Sequence, residues 1–157
     1  MVTLARRFAV VCALGLWLGG TTLYTGFVIP IGHRIVPAAK FGLVTRDVTR
    51  LLNVIGTIAL AVLLINLLAD RKAAERATRW GNWASWGLLA ASLAFLFGLH
   101  AFLLRRVGDA AESSRFDFWH DGYKLVTAIQ WGAGLIHLAC VLGTWRRADR
   151  TTPDQKG

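Results

Sequence analysis

The chain has 157 residues, 55% of them hydrophobic, with seven Trp, two Cys and a formal net charge of +9. Such a composition leaves little polar surface for a water-soluble domain, and two cysteines are too few for a disulfide framework or a cysteine-built zinc site. The Lys and Arg residues fall at the ends of apolar runs and in short loops, which marks a charged membrane rim rather than a nucleic-acid surface.

Four apolar runs approach the ~20 residues a helix needs to cross a bilayer. They lie at about 7–31, 51–68, 83–104 and 123–145. The expected fold class is all-α, an integral membrane four-helix bundle occupying residues 1–147, with 148–157 as a polar, disordered tail. No sequence is left for a second domain.

The first run follows Arg6 and Arg7 as a signal peptide would. It continues past Trp17 to Pro30 with no small-residue cleavage site, so an uncleaved helix is expected. Gly15 and Gly19 form a G-x-x-x-G, which admits a close helix either inside the bundle or from a second chain. Pro30 is expected to kink or end this helix and Pro37 to start the next, leaving His33 and Arg34 at a membrane surface.

Arg46, Arg50, Asn53 and Thr57 repeat at helical spacing and mark one face of the second span. Asp47 can pair with Arg50 along the helix, Arg50 can snorkel to the headgroups, and the deeper Asn53 should face another helix, worth roughly 1 kcal/mol as a hydrogen bond. The charged segment Asp70–Arg79 then leads to Trp80, Trp83 and Trp86, an interfacial aromatic cluster. The third span carries Ser85, Ser92 and, near its far end, His100 before Arg105 and Arg106. Asp109 and Glu112 suggest a short surface helix, Asp117 a cap for the fourth span and Trp119 its interfacial anchor.

The fourth span holds the strongest pattern. His120, Tyr123, Thr127, Gln130, Gly134 and His137 recur every three or four residues, a polar stripe that lipid could not satisfy and that must look into the bundle. Cys12 and Cys140 fall in apolar runs at one end of the bundle and read as small hydrophobes.

Four spans put both termini and the Asp70–Arg79 loop on one side with ten of the 18 basic residues, against eight on the other. The termini are therefore expected in the cytoplasm of a cell (inner) membrane. His33, His100 and His120 then share the outer end, where imidazoles on two helices could bind haem or copper, His100 with His120 as the pair and His33 nearby. Interhelical hydrogen bonding explains the same residues without a ligand. His137 lies about 25 Å from His120 along the helix, with Gln130, Thr127, Ser92 or Asn53 as candidate partners in a polar network that would pack helices or relay protons. No phosphate-cradling loop, nucleophile elbow, H-E-x-x-H or paired membrane carboxylates are present.

W-L-G-G (Trp17–Gly20) with V-I-P (Val28–Pro30), the amphipathic start of the second span, and F-x-x-W-H-x-x-Y…Q-W (Phe116–Trp131) resemble small bacterial four-helix inner-membrane proteins of unknown function. These are similar in layout to copper-resistance-protein-D-like membrane domains, a resemblance that implies copper near outer-surface histidines. The residues themselves favour a non-enzymatic structural or accessory membrane protein in contact with the lipid bilayer, associating with itself or another membrane subunit and not with nucleic acid. A haem- or copper-binding redox or metal-handling protein is the alternative, and a proton or solute path along the fourth helix a third reading.

Overall fold

The structure is a computed structural model. It describes the backbone of residues 2–70, 76–106 and 113–151, and within these the side chains of all but residues 38–39, 76–77, 103–106, 113–120 and 151. The described backbone is helical almost throughout and contains no strand. Helix α1 (Val2–Leu23) runs through one π-helical turn (Tyr24–Val28) into α2 (Ile29–Ile35), and α3 (Ala38–Ala69), α4 (Arg76–Arg106) and α5 (Ser113–Thr151) follow. The stretches Val2–Ile35, Lys40–Ala69, Thr78–Phe102 and Asp121–Arg150 are each long and apolar enough to cross a membrane. The chain is an all-α, multi-pass membrane protein.

All four helical stretches outrun the apolar segments that announce them. Helix α3 begins well before residue 51, and α5 begins before Asp117, which therefore lies inside the helix rather than at its cap. At its other end α5 continues to Thr151, while residues 152–157 and the Asp109–Glu112 segment lie outside the described residues. Hydropathy detects only the lipid-facing part of a helix, and a helix that continues into the headgroups is polar there without ceasing to be a helix.

Pro30 neither ends nor breaks its helix. Its ring would collide with the carbonyl of Gly26 in a regular α-helix, and the π turn lies across that position, with the Ile29 N–H donating to the Tyr24 carbonyl five residues back. The chain stops at Val36, and Pro37 opens α3, its carbonyl accepting from the N–H groups of Lys40 and Phe41 at 3.0 Å each.

The helices alternate in direction, so the start of α1, the end of α3, the start of α4 and the end of α5 share one end of the bundle, called here the terminal end. The other is the distal end. Helix α1 packs along α3, α3 along α4, α4 along α5, and α1 closes the ring on α5. The centre holds Val10, Leu14 and Trp17 of α1, Ala59 and Leu63 of α3, Leu89 and Leu93 of α4, and Ala133 and Val141 of α5. Phe8, Leu16, Ile58, Ile65, Phe95, Leu125 and Ile136 point outward, as lipid contact requires.

Glycines fix the closest crossings. A Cβ at Gly56 would lie 2.7 Å from two atoms of the Trp17 indole, and one at Gly134 2.7 Å from a Leu18 methyl. Gly15 and Gly19 meet nothing within 4 Å, so the G-x-x-x-G lies outside the bundle and plays no part in its internal packing. The hydroxyls of Thr21, Thr22, Thr25, Thr57 and Thr127 each donate to the carbonyl four residues back on their own helix, the usual way a hydroxyl is satisfied inside a membrane.

Candidate functional site: an intramembrane cavity

Toward the distal end the four spans part around a partly open cavity of about 210 Å³. Helix α1 and its π turn contribute Trp17, Thr21, Tyr24 and Thr25; α3 contributes Arg46, Thr49 and Asn53; α4, Leu96 and His100; α5, Tyr123, Lys124, Thr127 and Gln130. The polar stripes expected on α3 and α5 meet here, since Asn53, Tyr123, Thr127 and Gln130 line one space. Tyr123 stands beside both Asn53 and Tyr24.

Depth separates two kinds of polar group. Arg46 and Lys124 form the rim, and each already has a carboxylate partner: Arg46 pairs with Asp47 at 3.0 Å and Lys124 with Asp121 at 2.9 Å. Asp47 thus pairs with Arg46, not with Arg50 as the helical spacing suggested, and Arg50 is exposed, as a snorkelling residue is. Asn53 lies about 10 Å below Arg46 along α3, and Gln130 about 9 Å below Lys124 along α5, at 1.5 Å per residue. Both are only 5% exposed.

Three buried donors at this site have no partner: the Tyr24 hydroxyl, Asn53 Nδ2 and Gln130 Nε2. An unmet buried polar group costs ~1–3 kcal/mol, and here three belong to residues that line one cavity, from the π turn, α3 and α5.

The histidines divide. His100 lines the cavity and is half-buried. His33 is exposed on α2, its ring edge-on to Phe41 with centroids 4.8 Å apart. His120 lies in α5, its side chain outside the described set. Among the described residues no group of three or more His, Cys, Asp or Glu is placed to hold a metal ion.

His137 belongs to a separate cluster toward the terminal end. It is fully buried, and its Nδ1 lies 2.8 Å from Ser85 Oγ. Ser85 Oγ is also 2.8 Å from the Gly81 carbonyl. A hydroxyl has one proton to give; with that proton on the carbonyl, Nδ1 carries its own hydrogen toward Ser85, and Nε2 is left without a partner. Beside this pair Asn82 Nδ2 donates to Thr144 Oγ1 at 3.0 Å. His137 is therefore held by α4, through Ser85 and the Asn82 backbone, and not by Gln130, Thr127, Ser92 or Asn53. Between this cluster and the cavity Leu18 is pressed against Gly134, so the stripe on α5 is polar at both ends and apolar between. Ser85 and His137 are both buried and form no open nucleophile–base site.

At the terminal end Arg6 pairs with Asp70, which also accepts from Trp145 Nε1 at 3.3 Å. Arg7 holds Asp149 through two bonds of 2.8 and 2.9 Å and lies over the Trp145 ring, 5.3 Å from its centroid. These residues tie together the ends of α1, α3 and α5. Cys12 and Cys140 are free thiols, half-buried.

No curated protein and no solved structure matches this chain, and nothing in the comparisons links it to copper-resistance-protein-D-like domains. A family model does match, from residue 12 to residue 112, which takes in most of α1 and all of α3 and α4 but none of α5. The chain belongs to the family of DUF4149, a domain of unknown function.

Proposed function

We propose that this is a non-enzymatic, accessory protein of a bacterial-type inner membrane whose four helices hold a small amphiphilic molecule in the distal cavity. The observation that carries the reading is that three unpartnered buried groups, on Tyr24, Asn53 and Gln130, belong to residues lining one partly open space. Asn53 and Tyr123 approach one another across α3 and α5, but the Tyr24 hydroxyl and Gln130 Nε2 find no partner, whereas groups used only for packing would find one. The size also suits a small group: 210 Å³ lies below the ~300–1,000 Å³ of sites that enclose drug-sized ligands. Haem would not be enclosed there, and the haem or copper reading rests on His100 alone among residues shown at the cavity. The ten-to-eight distribution of basic residues supports termini in the cytoplasm, which on this reading leaves the cavity in the outer leaflet.

Native mass spectrometry of gently solubilised protein tests the reading. A small molecule carried by the wild type and lost on Gln130→Met is the expected result; a wild type with no adduct beyond bulk lipid refutes it. A visible spectrum of the same sample, with metal analysis, separates the haem and copper alternative. A Soret band or stoichiometric copper lost in His100→Ala would establish that alternative instead.

A further inference from the structure

The chemistry of the cavity narrows its ligand, on the reading that it is a binding site. The unmet groups at depth are neutral donors, two carboxamide N–H groups and a phenol. They call for acceptor oxygens on the ligand. Those oxygens are uncharged on this reading, because among the described residues the Lys and Arg lining the cavity, Arg46 and Lys124, are about 10 Å nearer the membrane surface and already paired with Asp47 and Asp121. An anion buried beside Asn53 and Gln130 would be desolvated without a countercharge. A phosphate or carboxylate headgroup could reach the rim, but would place its acyl chain, which accepts no hydrogen bonds, against the donors.

The walls add a second constraint. Trp17, Tyr24 and Tyr123 contribute aromatic surface, and Leu52, Leu96 and Ile29 add aliphatic surface among five threonines. Aromatic rings around a narrow space favour a flat ring that stacks or packs edge to face. Apolar walls in a helix bundle that faces lipid favour a molecule arriving from the lipid phase.

We propose that the cavity binds the head of a neutral, flat, carbonyl-bearing amphiphile of the quinone class, with Tyr24, Asn53 and Gln130 donating to its carbonyl oxygens. Its apolar tail lies outside the 210 Å³ space, along the lipid-facing surface.

The test uses the full-length protein in phosphatidylcholine nanodiscs, titrated with a short-chain alkyl benzoquinone and, separately, with oleate. Saturable quenching of tryptophan fluorescence reports binding, helped by Trp17 in the cavity wall. Tyr24→Phe removes one hydroxyl and nothing else, and Gln130→Met removes one carboxamide at nearly constant shape. Each is expected to weaken quinone binding roughly three- to tenfold, the effect of one lost hydrogen bond. Thr57→Val, an exposed position on α3 that does not line the cavity, is expected to leave it unchanged. Thermal unfolding in the same discs shows that the variants are folded. Quinone binding insensitive to both Tyr24→Phe and Gln130→Met overturns the proposal. Saturable oleate binding that those variants weaken, with no quinone binding, overturns the quinone class and leaves the binding function standing. Saturation by neither ligand overturns the quinone proposal, and the adduct measurement then decides the binding function on its own.

Discussion

Gly56 is where the floor of the cavity can be moved by one methyl group. In Gly56→Ala the new Cβ would sit 2.7 Å from Cε2 and Nε1 of Trp17 and 2.9 Å from Cζ2. Ordinary contact begins near 3.4 Å, so about 0.7 Å must be found by moving the indole or separating α1 from α3. Trp17 is 2% exposed and a rigid bicycle, with no free rotamer to absorb the shift. Overpacking of this kind costs ~1–3 kcal/mol. The usual ~1 kcal/mol helix-propensity advantage of Ala over Gly offsets little of it, because the separated helices in a membrane are already formed. A net loss of about 1–2 kcal/mol is expected in SDS-titration or steric-trapping unfolding. Trp17→Phe in the same chain should recover part of that loss, since the smaller ring vacates the contested volume. The milder Gly134→Ala, which meets the flexible methyls of Leu18, should lose less. Wild-type stability in Gly56→Ala, or strict additivity of Gly56→Ala with Trp17→Phe, would refute the packing argument.

Three further expectations follow from the rest of the molecule. Ser85→Ala deprives the buried His137 of its side-chain partner, leaving the Asn82 backbone, and should destabilise the bundle by about 1 kcal/mol in the same unfolding assay; no loss would mean that the pair is incidental. Asp70→Ala strands Arg6 and Trp145 Nε1 together and should lower stability by about 2 kcal/mol, whereas Asp149→Ala, which removes an exposed carboxylate, should change it little. Cysteines placed at Arg150 and Arg34, with Cys12 and Cys140 replaced by Ala, should be labelled by a membrane-impermeant maleimide from opposite faces, Arg150→Cys only after the cytoplasmic side is opened; labelling of Arg150→Cys in intact cells inverts the orientation.

How far the sequence reaches can be judged residue by residue. The apolar runs disclose four spans because a bilayer imposes one length on every crossing helix. They stop short of the polar beginnings of α3 and α5, which lie where the solvent changes, although the helical spacing of Arg46 and Arg50 already carries the second span back before residue 51. The spacing on α5 sets Tyr123, Thr127 and Gln130 on one face, and these residues line the cavity with Asn53, which is buried. A stripe on one helix carries no information about what stands opposite. Ser85 is as plain in sequence as Ser92, and only the register of α4 against α5 selects it for His137. Register likewise brings Leu18 onto Gly134 and divides one periodic stripe into two unconnected sites. Arg6 and Asp70 are 64 residues apart, and both read as rim charges until the bundle closes them together. The π turn has a local cause in Pro30, but sequence alone allows that proline a kink, a stop or a widened turn.

The sign of one stability change distinguishes a polar interior built for packing from one built for a ligand. If Gln130 serves to fix helices, Gln130→Met removes an interhelical hydrogen bond and the empty protein loses about 0.6–1 kcal/mol. The structure gives its Nε2 no partner, although the side chain is 95% buried. Replacing an unmet donor by an apolar group of similar shape is neutral or stabilising, so the ligand-free variant should unfold at the same or a higher denaturant concentration than the wild type. The wild type alone should then gain stability when ligand is added, because only a folded state that binds is favoured by mass action. A residue that weakens the empty protein and strengthens the loaded one has been kept for what it holds. Should the ligand-free Gln130→Met instead prove less stable than the wild type, Gln130 has a protein partner, and the three donors belong to the packing of the bundle.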